Sequence, residues 1–171
     1  MLGEGTIDVR EGTLRAAKTS FHSPDAALNV CAGAVFHSEV NSTIGALTGD
    51  GSVTMSANSK NVVTGRLSGL LTIGAGTDSS VVQLADGAEL DLSANQAPFV
   101  QTASTEFLGE VKVRLPGDGN SHGHKRVIAW DAPPSGENVS FAAVGNTKPV
   151  RFLVEGDGLY TESRFMVIYV R

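Results

Sequence analysis

The chain contains few charged residues, few aromatic residues and a single cysteine. Of its 171 residues, 18% are charged and 6% are aromatic, and only one is a cysteine. A disordered chain would carry more charge and fewer than 41% hydrophobic residues, so we expect a folded protein with one substantial core. Acidic residues outnumber basic ones by 18 to 13, and the net charge of −5 argues against binding to nucleic acid or anionic lipid.

The single cysteine and the absence of long apolar runs bear on disulfide formation and on membrane insertion. Cys31 has no second cysteine with which to form an internal disulfide. Because it lies inside an apolar repeat, we expect a small buried side chain, with a reactive thiol as the alternative. No run approaches the ~18 apolar residues of a membrane span, and no signal-peptide pattern occurs. We expect no membrane insertion, and we expect the chain to be an excised piece or mature form of a longer protein.

The chain does contain a short unit that recurs. In each copy two apolar residues flank one other residue, and a glycine, a small residue and an apolar residue follow shortly afterwards. The copies are residues 7–14, 28–35 and 82–90. Glycine adopts backbone angles that other residues avoid, and Gly12 and Gly33 are 21 residues apart, which fits one coil of a β-solenoid with ~20–30 residues per coil. A unit of this size cannot bury its apolar face alone, so the copies must stack.

Composition divides the chain between residues 95 and 99. Eight of the ten aromatic residues lie in residues 99–171, which also contain longer alternating runs of apolar and polar residues. Such alternation is typical of strands with one buried face. The sequence therefore predicts an all-β fold: a short β-solenoid or stacked β-sheets over residues 1–95, then an antiparallel, aromatic-rich capping region or small sandwich over residues 99–171.

Two local details complete this prediction. Ser23, Pro24 and Asp25 have the order of an N-cap, a first-turn proline and an acidic first-turn residue, which predicts one helical turn. In the second part, apolar alternation predicts strands that are separated by glycine- and proline-rich turns. These predicted strands are 111–115, 126–130, 139–144, 150–154 and 165–170.

Residues 13–15, 33–35, 44–53 and 86–92 together resemble the autotransporter-associated β-strand repeats of bacterial surface proteins. The resemblance covers about residues 5–95, and the final segment 165–171 also looks like the last strand of such passenger regions. It implies a right-handed β-helix that is secreted or exposed at the cell surface. Members of that family usually act as a stalk, an adhesin or an accessory region, sometimes beside an enzyme on the same chain.

Few residues in the sequence suggest a catalytic, metal-binding or ligand-binding role. The candidates for catalysis are Asp118, His122, His124 and Asp131, which could converge around one loop. Two histidines that are two residues apart on a strand could share a metal, but the cations that follow them disfavour a bound cation, so we predict a solvated hairpin loop and no metal. Trp130 is either an exposed platform for sugar stacking or a buried residue of the cap; its place at the end of an apolar run favours burial.

Paired carboxylates would be required for glycoside hydrolysis. Glu89 and Asp91 are close together, but they alternate with Leu90 and Leu92, so we expect them to be solvated on the outer face of a strand. The Gly-x-Ser-x-Gly motif of serine hydrolases does not occur in the sequence. No catalytic motif is matched, and no cofactor is predicted.

The expected function is therefore a non-catalytic structural, spacer or binding module of a secreted or cell-surface bacterial protein. Its expected partners are glycans or host glycoproteins, and not nucleic acid. The alternative is an extracellular hydrolase, a protease or glycosidase, that uses acidic residues on a mucin-type glycoprotein. Because open solenoid ends promote association, we expect a monomer or weak dimer.

Overall fold

The computed structural model describes residues 4–17, 20–56, 58–74, 80–117, 124–134, 138–147 and 149–162. All helical or extended regular structure in these residues is β-strand. The strands are β1 (Gly5–Val9), β2 (Thr13–Ala16), β3 (Phe21–Val30), β4 (Val35–Ser38), β5 (Ser42–Gly49), β6 (Ser52–Met55), β7 (Lys60–Ser68), β8 (Thr72–Ile73), β9 (Val81–Leu84), β10 (Glu89–Asp91), β11 (Phe99–Val100), β12 (Thr105–Phe107), β13 (Glu110–Arg114), β14 (Lys125–Ala129), β15 (Ser140–Val144), β16 (Arg151–Glu155) and β17 (Gly158–Glu162).

Two parallel sheets form the body of the molecule. Sheet A has the order β1-β3-β5-β7-β10-β13-β15, with β9 beside β7 and β12 beside β9, and all its ladders are parallel. Sheet B consists of β2-β4-β6-β8, and its ladders are parallel as well. From β1 to β8 the chain alternates between the two sheets and so winds into coils. The predicted all-β fold is confirmed, as a β-solenoid of about five turns.

An apolar column runs through sheet A and holds the coils in register. Each member pairs with the next one along the stack, in the order Ile7, Leu28, Leu47, Leu67, Leu90, Val113 and Ala143. The five central members are at most 1% exposed. Burial of one such side chain stabilises the fold by roughly 1.5–3 kcal/mol, so each of these members contributes measurably to the stability of the stack.

The first two copies of the repeat stack as predicted, but the third is displaced. Ile7 pairs with Leu28, and Gly12 and Gly33 have φ angles of 69° and 78°. In the third copy, Leu90 rather than the first apolar residue joins the column of Leu28. Gly87 also has a positive φ, 78°, but it turns a different corner of the coil, between β9 and β10. The same local pattern therefore serves two different corners.

The predicted helical turn at Ser23–Asp25 is wrong, because β3 runs through it. The pairing of β3 with β5 jumps from Ser23 to Ala27 and so forms a bulge, and β5 and β7 have a similar shift after Ile44. Ser23 is 2% exposed and pairs with Ile44. Pairing with the next coil thus outcompetes the local capping preference.

Glycine allows these bends to nest. A Cβ at Gly45 would lie 2.9 Å from the carbonyl oxygen of Ala26 and still closer to that of Pro24. At Gly65, the next bend in the stack, a Cβ would meet the carbonyl oxygen of Gly45. Successive backbones therefore approach more closely here than any residue with a side chain would permit.

From residue 99 onwards, some strands extend sheet A of the solenoid and others form a separate sheet. The alternating strands β13 and β15 were expected to be antiparallel, but they pair in parallel and extend sheet A. Antiparallel pairing occurs in sheet C, of order β11-β14-β17-β16, where β17 pairs with both β14 and β16. Phe141 joins the two regions, with ring centroids 5.5 Å from Phe107 and 6.2 Å from Trp130. The predicted strand at 165–170 lies outside the described residues.

Leu67→Ala should lower the free energy of unfolding by about 2–5 kcal/mol, because it removes a fully buried member of the central column. Leu70→Ala is the matched control, since Leu70 is 46% exposed and should change stability by about 0.5 kcal/mol or less. Urea unfolding followed by circular dichroism measures both. Equal effects of the two substitutions would contradict the assigned register.

Gly45→Ala should destabilise the fold by about 2 kcal/mol or more, because its Cβ meets two backbone carbonyl groups that cannot rotate away. Gly156→Ala is the control, since a Cβ at Gly156 has no atom within 4 Å. The melting temperatures of the two variants provide the comparison. A nested bend is ruled out if Gly45→Ala melts with the wild type.

Candidate binding groove

Two of the four residues proposed for catalysis, Asp118 and His122, lie outside the described residues. His124 directly precedes β14, and its Nε2 is 3.2 Å from Oε1 of Glu155 and its ring stacks on Tyr160 with centroids 4.3 Å apart. Asp131 is exposed and directly follows the buried residue Trp130. The structure therefore separates the environments of His124 and Asp131.

Trp130 is buried, with 5% of its surface exposed. Its Nε1 donates a hydrogen bond to the backbone oxygen of Glu155 at 3.1 Å, and its ring stacks against Phe141. These contacts fix the end of β14 against the hairpin of β16 and β17. Any role of Trp130 in binding is therefore confined to the small part of its surface that lines the groove described next.

A groove of about 500 Å³ lies between residues 101–108 and residues 130–134. Its volume is within the ~300–1,000 Å³ typical of small-molecule sites. The two walls are tied together at their base, where the backbone N–H of Gln101 donates to the carbonyl oxygen of Ala129 at 2.8 Å. Parallel pairing of β11 with β14 continues this connection, so the groove is built on sheet structure.

The first wall contains a tight turn with buried polar groups. The Thr105 N–H donates to the carbonyl oxygen of Thr102 at 3.0 Å, and Gln101 Nε2 donates to the carbonyl oxygen of Thr105 at 3.0 Å. Within the part of the chain that the structure describes, Thr105 Oγ1 and Gln101 Oε1 are buried and have no hydrogen-bond partner. Leaving such a group unpaired costs about 1–3 kcal/mol.

Among the described residues the Thr105 hydroxyl has no hydrogen-bond partner, because the residue that pairs with Thr105 in the neighbouring coil is apolar. One column of sheet A contains Ser42, Asn61, Val82 and Thr105 in successive coils. Ser42 donates its hydroxyl to Oδ1 of Asn61, which satisfies that oxygen, whereas Nδ2 of Asn61 is buried and has no partner among the described residues. Val82 then separates Asn61 from Thr105 and offers no polar atom. Asn61 is fully enclosed, whereas Thr105 belongs to the lining of the groove.

Carboxylates and apolar side chains supply the remaining surface. Glu106 accepts a hydrogen bond from Nε2 of Gln83 at 2.7 Å, and Asp131 is exposed at the other wall. Phe107 is 3% exposed and Leu108 is 40% exposed. The described lining contains no lysine, arginine or histidine. The groove thus combines hydrogen-bond acceptors, negative charge and an apolar wall.

Of the residues singled out in the sequence, Asp131 and Trp130 line this groove, and His124 does not. Sequence reasoning missed Gln101, Thr105 and Glu106. A polar residue inside the short run Thr105–Phe107 is ordinary for a half-solvated strand. Its burial depends on packing against residues far away in the chain, so no local signal identifies it.

A second cluster occupies the outer face of sheet A. Glu89 and Asp91 were expected to be solvated, but their side chains are only 16% and 18% exposed. Arg114 binds Glu89 through two hydrogen bonds, of 2.7 and 3.2 Å, and Arg66 lies 3.3 Å from Glu89 and 3.7 Å from Asp91. Each charge comes from a neighbouring coil, so stacking creates the network.

The pKa of Asp91, in this charge network, is lowered. Burial alone would raise the pKa of Asp91, but hydrogen bonds from Ser93 and the positive charges of Arg66 and Arg114 outweigh it and lower that pKa. On sheet C the pKa of Tyr160 is raised, first by burial and then by its hydrogen bonds to Asp157. Both groups lie outside the described lining of the groove.

The other histidine and cysteine positions form local contacts. Nδ1 of His37 is 2.9 Å from Oγ1 of Thr54 in the neighbouring strand β6, and its Nε2 is 3.3 Å from Oγ of Ser56, just after that strand. Cys31 was expected to be buried but is only partly so, because it lies at the corner after β3. Among the described residues, no group of three histidine, cysteine, aspartate or glutamate side chains is placed to hold a metal ion.

Comparison of the chain with protein-family models, curated proteins and solved structures finds no match. The β-solenoid is therefore established by the strand pairing alone, and the autotransporter repeat is not identified. In the described residues, no helix has the length and apolar character needed to cross a membrane.

Asp91→Asn should lower stability at pH 7 by about 1 kcal/mol or less, since the two arginines are 47% and 36% exposed and solvent screens them. The folded pKa of Asp91 is lowered, so its carboxylate stabilises the fold fully above its unfolded pKa of about 4. This contribution is lost as the pH falls through the lower, folded pKa. Urea unfolding of both proteins from pH 7 to pH 2 should show their difference shrinking over that range, and a constant difference would contradict it.

Proposed function

We propose that the chain is a non-catalytic structural and binding module of a secreted or cell-surface bacterial protein, and that it contacts glycans or host glycoproteins. The observation that carries the proposal is the groove between residues 101–108 and 130–134, built at the side of a stack of coils. Its acceptor groups and apolar wall match ligands that have hydroxyl donors and C–H faces.

The stack itself supports a role as a spacer. Hydrogen-bonded coils of sheets A and B remain in register from β1 to β8, and sheet A continues as far as β15. Each coil buries its apolar side chains against its neighbours, which makes stability the sum of many similar interfaces. Such a rod holds the groove in a fixed orientation relative to whatever precedes the first coil.

Location outside the cell rests on the resemblance of the repeat to those of surface proteins. That resemblance is consistent with the in-register stacking of its first two copies, around Gly12 and Gly33.

The competing proposal is a hydrolase that uses acidic residues on a mucin-type glycoprotein. Asp131 and Glu106 belong to opposite walls of the same groove, and glycoside hydrolysis uses a pair of carboxylates that flank the substrate. Glu106, however, already accepts a hydrogen bond from Gln83. The binding proposal needs only the acceptor capacity of these groups and no proton transfer.

Incubation of the purified chain with immobilised mucin-type glycoprotein, both before and after enzymatic removal of its sialic acid, tests the proposal. We expect retention of the chain on the glycoprotein, no change in the glycoprotein on gels and no release of glycan. Release of glycan or of peptide fragments that is lost in a folded Asp131→Asn variant would establish the hydrolase instead. Failure of the wild-type chain to bind would overturn the binding role.

A further inference from the structure

We propose that the groove is a binding site for neutral saccharides, in which Asp131, Gln101 and Thr105 accept hydrogen bonds from sugar hydroxyls. This inference rests on the proposed function and assigns that function a site and a class of ligand. Three properties of the groove carry it: the type of its polar atoms, the sign of its charge and the nature of its wall.

The polar atoms call for a ligand that donates hydrogen bonds. Gln101 Oε1 and the Asp131 carboxylate can only accept, and Thr105 Oγ1 can accept as well as donate. Thr105 is 98% buried, as its exposed fraction is 2%, yet its hydroxyl has no partner in the described part of the chain. A hydroxyl group delivered by a ligand would satisfy these acceptors where the neighbouring coil, through Val82, does not.

The sign of the charge excludes acidic sugars. Glu106 and Asp131 contribute two carboxylates, and the described lining has no basic side chain to offset them. A sialic acid or sulfate group would be repelled, and its desolvation would be uncompensated. Neutral hydroxyls, by contrast, form stronger hydrogen bonds to carboxylates than to uncharged acceptors.

The apolar wall argues against a simple cation as the ligand. Phe107, Leu108 and Trp130 line the groove together with two prolines, Pro133 and Pro134. The two carboxylates would attract a small ammonium ion, but such an ion would be desolvated by this apolar surface without making favourable contacts to it. A pyranose ring carries hydroxyls on its edge and C–H groups on its faces, so one ligand fits both kinds of surface.

Binding requires a small local movement. Thr105 Oγ1 and Gln101 Oε1 are closed to solvent, and the turn between these two residues contains the exposed residues Thr102 and Ala103. Displacement of this turn opens both acceptors while the hydrogen bond from Gln101 to the Ala129 carbonyl keeps the base of the groove in place. Saccharide binding should therefore change the hydrogen exchange of residues 102–105 more than that of the coils.

The first test is a glycan array that carries neutral and sialylated oligosaccharides, followed by titration calorimetry with the neutral glycan that binds best. We expect neutral glycans to bind and their sialylated forms to bind at least tenfold more weakly. Spermidine serves as the cationic probe and should not compete. The absence of binding to every neutral glycan, or displacement of the glycan by spermidine, would overturn the assignment.

Thr105→Val and Thr161→Val separate binding from stability. Both threonines are buried, but Thr161 donates its hydroxyl to the carbonyl oxygen of Lys125 at 3.3 Å, far from the groove lining. Thr105→Val should weaken glycan binding about threefold or more and leave the melting temperature unchanged or raised. Thr161→Val should lower the melting temperature without altering affinity. A purely structural role for Thr105 predicts unchanged affinity in both variants.

Asp131→Asn should weaken binding about tenfold, because it removes a charged acceptor and preserves shape. Asp50→Asn, at an exposed turn between β5 and β6, is the charge-matched control and should leave affinity unchanged. If glycoprotein binding persists at full strength in Asp131→Asn and Thr105→Val, the groove assignment fails while the binding role stands. If wild-type chain binds no glycoprotein, the proposed function itself fails.

Discussion

The structure depends on one constraint, the in-register parallel pairing of each coil with the next. Because side chains alternate between the two faces of a strand, a shift of one residue would turn every buried apolar group of a coil toward solvent. Leu28, Leu47, Leu67 and Leu90 pair in order and are at most 1% exposed, so the core and the hydrogen-bonded ladder specify the same alignment. Backbone pairing and apolar burial therefore reinforce one another across the stack.

Register survives large differences in coil length because the extra residues lie at bulges or outside the paired strands of sheet A. Paired residues are 21 positions apart from Ile7 to Leu28, 19 from Leu28 to Leu47 and 30 from Val113 to Ala143. The last interval contains β14 of sheet C and one wall of the groove. The groove thus occupies the place where the chain leaves the stack before returning to it at β15.

This arrangement explains which features could be predicted from the sequence. The glycines of the first two repeats and the β-rich class follow from local patterns, because a coil repeats its own turn geometry. The third copy was misplaced since two corners of the coil accept the same pattern. Ser23–Asp25 was assigned to a helical turn because a capping preference is local, whereas the pairing of Ser23 with Ile44 is not. Gln101 and Thr105 gave no signal, because their burial is created by tertiary packing.

Stacking also decides what polar side chains can do. On the outer face of sheet A, the next coil supplies a partner of opposite charge, so Glu89 meets Arg66 and Arg114 from coils on either side. Inside the stack, Ser42 of one coil donates to Oδ1 of Asn61 in the next, although Nδ2 of Asn61 has no partner among the described residues. At Val82 the neighbouring coil offers no polar partner. Among the described strands β12 pairs only with β9, so the residue opposite Thr105 is Val82 and the Thr105 hydroxyl has no partner across the ladder. A solenoid that pairs its polar groups between coils thus leaves acceptors without partners where the stack is interrupted, and those are the positions where a ligand can replace the missing coil.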